Sequence, residues 1–361
     1  MRSGILSASM ALLASVSALP APQEAPSTKI VNPLPIVKFA ETQNFSVPVL
    51  PEAAKVIFEN YKVTIAPEQE SKTSFLLMNL AAASGSCANP RVRVEWDSYS
   101  DDNKQAFVNS IKCLMGKAPS GQFPASKSRY EDLVSLHQGL TPNVHGNAKF
   151  LLWHRYLTWT FEDILRTECG LSVPMPWFDE TRYAGRFAQS SIFSSRWLGS
   201  IAVGGNCVTD GQFANLAINI GPGSGNQLHC LSRNGDGAKT QYCNSAYVDQ
   251  CNAYGDFAGM ASCAETGPHA WGHNGIGAVM QDTYASPADP IFWLHHGFVD
   301  RNFRIWQNGN PGVRTTSING NDHFGNPLTL DTVVSMQGVR PDIKVRDILD
   351  TTGQLCYKYN Y

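Results

Sequence analysis

Apolar positions recur at helical spacing in several stretches of this chain, and that rhythm sets the first picture of the fold. Residues 104–115 place Phe107, Ile111 and Leu114 on one face. Residues 129–136 turn Leu133 and Val134 inward, His137 closes the same face, and Gly139 predicts the helix stop. The clearest stripe is Phe150, His154, Leu157, Phe161 and Ile164. A last helix is expected with Asp289 as N-cap and Pro290 at the first helical position. Along it, Phe292, His296, Val299 and Phe303 recur at i, i+4, i+7 and i+11. His154 and His296 thus sit on stripes that are otherwise apolar. A buried imidazole needs a hydrogen-bond partner or a metal.

The intervening chain reads differently. Residues 169–263 are crowded with glycine, proline and turn residues. They hold six of the nine cysteines: Cys169, Cys207, Cys230, Cys243, Cys251 and Cys263. Disulfides rather than regular structure are expected to hold this stretch, with one short helix at 247–257. Pro268 can then open a helix that presents His269 and His273 at i and i+4, where two imidazoles reach one ion.

The ends of the chain change the picture further. Residues 1–18 carry Arg2, an apolar run and the small residues Val16-Ser17-Ala18, the pattern of a secretory signal peptide. The run is too short and too serine-rich to span a membrane. A secreted, extracellular protein is therefore expected, and most cysteines should form disulfides. Nine is odd, so at least one thiol is free or pairs with another chain. Asn44-Phe45-Ser46 is a glycosylation sequon. Residues 19–86 read as an N-terminal extension or pro-segment with candidate helices at 52–61 and 71–83, and residues 87–361 as the main domain. The formal net charge is −2, with no basic patch and no acidic run, so neither nucleic acid nor a membrane is an expected partner. Eight Trp and 17 Phe imply a large aromatic core. Oligomeric state is left open.

Six of the nine histidines form two sets of three: His137, His145 and His154, then His269, His273 and His296. His145 lies nine residues before His154, on the opposite face of any shared helix, so it belongs on the preceding loop. Three imidazoles per ion, with no carboxylate or thiolate, suit copper or zinc. Two adjacent ions with open positions could bind one small molecule between them.

The first set reads His145-x4-Phe150-Leu151-x-Trp153-His154-Arg155-x6-Glu162. The second reads Asp289-Pro290-x-Phe292-Trp293-x2-His296-x3-Asp300. Both resemble the signatures of the type-3 copper proteins: tyrosinases, catechol oxidases and hemocyanins. Arg93-Val94-Glu95-Trp96 and Tyr357-x-Tyr359 resemble the motifs that open and close the fungal tyrosinase core. With Cys169-Gly170, His229-Cys230-Leu231 and Ser286-Pro287, the likeness is greatest to short secreted ascomycete enzymes.

That resemblance implies a mainly α fold, a central four-helix bundle holding a binuclear copper site, with long disulfide-tied loops and little β structure. It implies two copper ions on His137, His145, His154, His269, His273 and His296, with O2 as co-substrate and a small phenol as substrate. Glu265 would hold a water that deprotonates a monophenol, or else would merely neighbour a helix N-terminus. Ala270, Asn274, Val279 and Met280 are candidates to line the substrate pocket, and Phe292 and Asp300 to support the ligands from behind. His295, His229 and His323 are read as core, loop and surface histidines. The family brings its core ends together, so a Cys87–Cys356 bridge is expected, with no C-terminal lid domain after Tyr359.

Two positions depart from the family pattern. Monophenol-hydroxylating members often carry Asn directly after the first ligand of the second site; here it is Ala270, although Asn274 follows His273. Where some members carry a thioether-forming Cys, this chain has Asn143. Oxidation of o-diphenols to o-quinones is thus expected to outweigh monophenol hydroxylation. The alternatives are a true tyrosinase, a hemocyanin-like oxygen carrier, and a di-zinc hydrolase; the last usually needs a bridging carboxylate that neither motif supplies.

Overall fold

Helix α1 (Asp101–Gly116) begins at Ser100, whose hydroxyl accepts from the Asn103 N–H, and buries Phe107, Ile111 and Leu114. The computed structural model describes residues 87–361. The signal-like segment, the sequon and the two candidate N-terminal helices lie outside the described residues.

Helix α2 (Arg129–Val144) is capped by the Ser128 hydroxyl on the Glu131 N–H. It does not stop at Gly139. It runs through Gly139 and Pro142 to Val144, because Thr141 and Val144 extend the buried face and Gly139 keeps a negative φ. A glycine ends a helix when it takes a left-handed turn, as Gly170 does at φ 66° after α3 (Phe150–Cys169).

Helices α4 (Ser245–Asn252) and α5 (Phe257–Ala264) replace the single helix expected at 247–257. The break has a local cause. The Asp256 carboxylate accepts from the Gly259 N–H and caps a new helix there. A π-type turn, Glu265–His269, leads into α6 (Ala270–Ile276), with a kink at Gly267. Pro268 therefore lies in the turn before the helix.

Helix α7 (Ile291–Asn308) starts one residue later than expected. Asp289 still accepts from the Ile291 N–H at 3.2 Å, and its carboxylate is also paired with Arg233 at 2.8 Å. Every residue from Ile291 to Asp300 is buried, so α7 is the central rod of the core. The helical bundle forms around it. Helix α3 and the Glu265–His269 turn pack directly on α7, α2 meets it through Tyr130 against Trp293 and α6 through His273 against His296, and α1 packs on α2 and α3. The Phe161 and Trp293 rings stack at 3.9 Å between α3 and α7, a pairing worth about 1 kcal/mol beyond its buried area.

Strands are few. The strand Arg91–Arg93 pairs in parallel with Tyr357–Tyr359, Arg91 opposite Tyr357 and Arg93 opposite Tyr359. This joins the two ends of the described chain. Behind it, Glu162 accepts from Arg93 at 2.8 Å, and Asp300 accepts from Arg155, Tyr357 and Tyr359 at 2.6 Å each. Asp300 is thus the centre of a buried knot one helical turn beyond His296. Two short antiparallel pairs complete the β structure among the described residues.

Four disulfides tie the loops: Cys87–Cys356, Cys113–Cys169, Cys207–Cys230 and Cys251–Cys263. Cys87–Cys356 is the bridge expected between the core ends. Cys169 pairs outside the cysteine-rich stretch, which therefore holds two bridges of its own. Cys243 is the free thiol and is buried. Among the described residues, no helix is long and apolar enough to cross a membrane.

Candidate metal centre

The structure gathers the six motif histidines into two clusters. His137, His145 and His154 present ring nitrogens within 4.8 Å of one another, and so do His269, His273, His295 and His296. His137 projects from α2. His145 is the residue after it, at the loop that the nine-residue spacing required. His154 comes from α3, His269 from the π-type turn, His273 from α6 and His296 from α7. The clusters face each other through His154 and His296, whose rings stack at 4.6 Å and 13°. Phe150 is wedged between them, 4.7 Å from the His154 ring and 4.6 Å from His269. Phe292 lies beneath, 4.1 Å from His296 and 5.4 Å from His137.

Five of these imidazoles are oriented by backbone carbonyls. His137 Nδ1 meets Tyr284 O at 2.8 Å, His145 meets Thr141 O at 3.1 Å and His154 meets Phe150 O at 2.9 Å. His269 meets Glu265 O at 3.0 Å and His273 meets Met280 O at 2.6 Å. A carbonyl only accepts, so each Nδ1 carries the proton. Burial pushes all six pKa values down, His145 to about 4, so the rings are neutral. Each of these five Nε2 atoms is then a bare lone pair.

That tautomer state is the test of fit for a metal. His137 Nε2 and His154 Nε2 stand 3.4 Å apart with no proton between them. His273 Nε2 and His296 Nε2 are also 3.4 Å apart. Two nitrogens bound to one ion at about 2 Å in a tetrahedral site sit roughly 3.3 Å apart. His269 Nε2 is buried with no hydrogen-bond partner. The lone pairs of His137 and His154 face each other in a buried site and repel, and a cation between them removes the repulsion. The all-imidazole donor set suits copper.

His295 is the core histidine expected, and it also stands in the second cluster. Its Nδ1 meets Glu180 Oε1 at 2.5 Å. Burial drives His295 down to about 3 and Glu180 well up, so this is a neutral hydrogen bond. His229 corrects its loop assignment: it is buried in a two-residue strand, with Nδ1 on Gln227 O at 2.8 Å. His323 is exposed.

A cavity opens at the clusters, lined by His145, Glu265, His269, His273, Ala270, Asn274, Met280, Gln281, Thr283 and Ser286. Val279, a pocket candidate in the sequence, is buried and outside this lining. Glu265 accepts from the Gly146 N–H at 2.7 Å and so ties the His145 loop to the His269 turn. Burial pushes its carboxyl up to about 8. Asn143 has no sulfur to bond to His145, so this position cannot form a thioether. Gln281, Thr283, Ser286 and Glu180, and the carbonyls of Met280 and Tyr284, escaped the sequence reading. A carbonyl acceptor leaves no trace in residue identity. Only Ser286-Pro287 carried a signal, as part of the resemblance.

The comparisons agree with this geometry. A family model, the common central domain of tyrosinase, matches residues 127–309. Tyrosinase ustQ of Aspergillus flavus is 32% identical over 295 residues, covering 76% of this chain and 80% of its own. Tyrosinase P of Aspergillus terreus is 28% identical over 333 residues, covering 76% and 93%. The structure of a mutant polyphenol oxidase from Thermothelomyces thermophila superposes with a TM-score of 0.70 at 26% identity, covering 86% of this chain and 98% of that one. By domain, identity and fold, this chain belongs to the tyrosinase family, whose binuclear copper centre oxidises phenolic substrates with O2.

Proposed function

We propose that this enzyme is chiefly an o-diphenol oxidase, with weak or no monophenol hydroxylation, and that His137, His145, His154, His269, His273 and His296 hold its two coppers. Copper held there supplies the redox chemistry and O2 activation. Two catechols give up four electrons and four protons, and O2 takes them to become two waters. The chain's part is to orient the ring and handle protons. Among the described residues Glu265 is the one carboxylate lining the cavity, so it is the group positioned to exchange a phenolic proton; with its carboxyl pushed up to about 8, it serves as the base in its ionised form.

The observation that carries the preference for catechols is the pair Ala270 and Asn274. Ala270 offers only a methyl to the cavity. Asn274 could orient a water in its place, but its amide nitrogen already donates to Ala270 O at 2.8 Å. A monophenol therefore meets a base with little help in aligning it, whereas a catechol needs less.

The test compares kcat of the copper-loaded protein for 4-methylcatechol and p-cresol. Turnover of the catechol is expected to be faster by at least about tenfold, a 1.4 kcal/mol difference in barrier. Ala270→Asn is expected to raise the monophenol rate. Comparable rates on the unaltered enzyme would overturn the proposal in favour of a true tyrosinase. The four disulfides support an oxidising, extracellular destination, in keeping with the signal-like residues 1–18.

A further inference from the structure

Residues 277–286 lead from α6 toward α7 without forming a long helix, yet they touch both histidine clusters. Met280 O accepts from His273 at 2.6 Å, and Tyr284 O accepts from His137 at 2.8 Å. The same ten residues contribute Met280, Gln281, Thr283 and Ser286 to the cavity wall. One backbone segment thus fixes a ring in each cluster and one wall of the pocket.

Asp282 sits in the middle of this segment, 2% exposed, with no cation among its hydrogen-bond or ion-pair partners. Its Oδ1 accepts from the Tyr284 N–H at 2.9 Å, and its Oδ2 accepts from the Gly223 N–H at 2.9 Å. Its own backbone closes two turns: its N–H donates to Val279 O and its carbonyl accepts from Ser286 N–H. Gly223 belongs to a surface loop, residues 221–226, whose other side is gripped by Gln138. The Gln138 amide donates to Gly223 O at 2.8 Å and Gly225 O at 2.9 Å. Gln138 neighbours His137. The circuit therefore closes: α2 holds the loop, the loop holds Asp282, and Asp282 holds the turn whose carbonyl returns to α2 through His137. Gly221 permits this closeness. Its φ is +90°, and a Cβ there would stand 2.6 Å from the Ala285 Cβ and 3.0 Å from Asp282 Oδ2.

We propose that residues 277–286 are a strap coupling the two copper sites, and that Asp282 is the positioning residue that sets it. The proposal rests on the ligand assignment above. A buried carboxylate bonded only to backbone amides is costly to desolvate. Here it bonds the Tyr284 amide directly, and the Asp282 N–H anchors the turn at Val279 O beside Met280; Tyr284 and Met280 are the residues whose carbonyls meet the Nδ1 of His137 and His273. Loosening it frees one ring in each site together, rather than weakening one site.

The decisive variant is Asp282→Asn, which keeps the shape and one acceptor but turns an NH2 toward an N–H donor. Copper-loaded protein is reduced and titrated with a Cu(I) chelator, and copper retained per chain is measured. Both ions are expected to leave together at about tenfold lower chelator, the lower end of the effect of an outer partner on metal affinity. The rise in Tm on copper loading should shrink in step, and KM for a catechol should rise with the displaced wall. Retention like that of the unaltered chain, or loss of a single ion, would overturn the proposal. An unaltered chain that fails to hold two ions would overturn the ligand assignment, and the strap with it. Should Asp282→Asn not fold, Gln138→Ala releases the loop from its solvent side. It should give the same joint loss, smaller than that of Asp282→Asn, and unchanged retention there would also refute the strap.

Discussion

The two histidine clusters offer the same kind of donor but are built by different means. The first is framed by two long helices. His145 and His154 each donate to a carbonyl four residues earlier, and the strap holds His137. The second is assembled from a kinked turn, the short helix α6 and the rod α7. His296 Nδ1 has no acceptor among the described residues, and its ring packs on His154 and Phe292. The cavity opens mostly on this second side, past His269, His273, Ala270 and Asn274. The more regular cluster is a foundation and the irregular one is the working edge. A buried helix fixes a ring well but leaves no room for substrate; a kinked turn leaves room and relies on neighbours for rigidity.

The harshest way to probe that contrast is to remove a ligand from each side. His154→Ala and His296→Ala should each leave at most one copper per chain and lower catechol turnover at least about a thousandfold. That exceeds the roughly 10- to 100-fold typical of losing an outer partner. A variant that keeps two ions, by metal analysis, would remove that histidine from the site. Next in size is the knot behind the first cluster. Asp300→Ala leaves Arg155 buried without its carboxylate, as well as the Tyr357 and Tyr359 hydroxyls. Denaturant unfolding should show a loss of about 3–5 kcal/mol.

A smaller blow falls on the second cluster alone. A Cβ at Gly272 would stand 2.6 Å from His295 Cε1 and 2.9 Å from Glu180 Oε2. Gly272→Ala should cost about 1–3 kcal/mol through overpacking and weaken copper at the second site while the first keeps its ion. Equal loss at both would argue that the clusters are not separable in this way.

Acid is the gentlest perturbation. Burial alone would raise the carboxyls of Glu162 and Asp300. Arg93 and Arg91 outweigh it at Glu162, and Arg155 and Arg93 at Asp300, so both are held below the usual range. Their contribution is therefore present above the unfolded value near 4 and is lost as pH falls through the folded value. The Tm should begin to fall below about pH 6.5, where the unfolded chain protonates the histidines that burial keeps neutral in the fold, and a further fall should set in below about 4 from these two carboxylates. Asp300→Asn should flatten that fall, and an unchanged slope would place the acid-sensitive groups elsewhere.

Much of this was legible in the chain because a buried helix writes its face into every third or fourth residue. The stripes through His154 and His296 gave the two longest helices near their true positions. The stop at Gly139 failed because a glycine is only a local signal, and the buried face of α2 continued past it. The helix expected at 247–257 failed because Asp256 caps a new helix rather than extending an old one.

The sequence by itself singled out the six motif histidines that the fold gathers into two clusters, and indicated that the two ends would meet. Imidazole spacing is covalent, and apolar periodicity dictates which residues leave water. Only the tertiary structure decided the tautomers, the partnership of His295 with Glu180, the exclusion of Val279 from the pocket wall and the strap built on Asp282. Those depend on carbonyls and amides brought together across the chain. Every residue carries both groups, so no residue type marks where they are used.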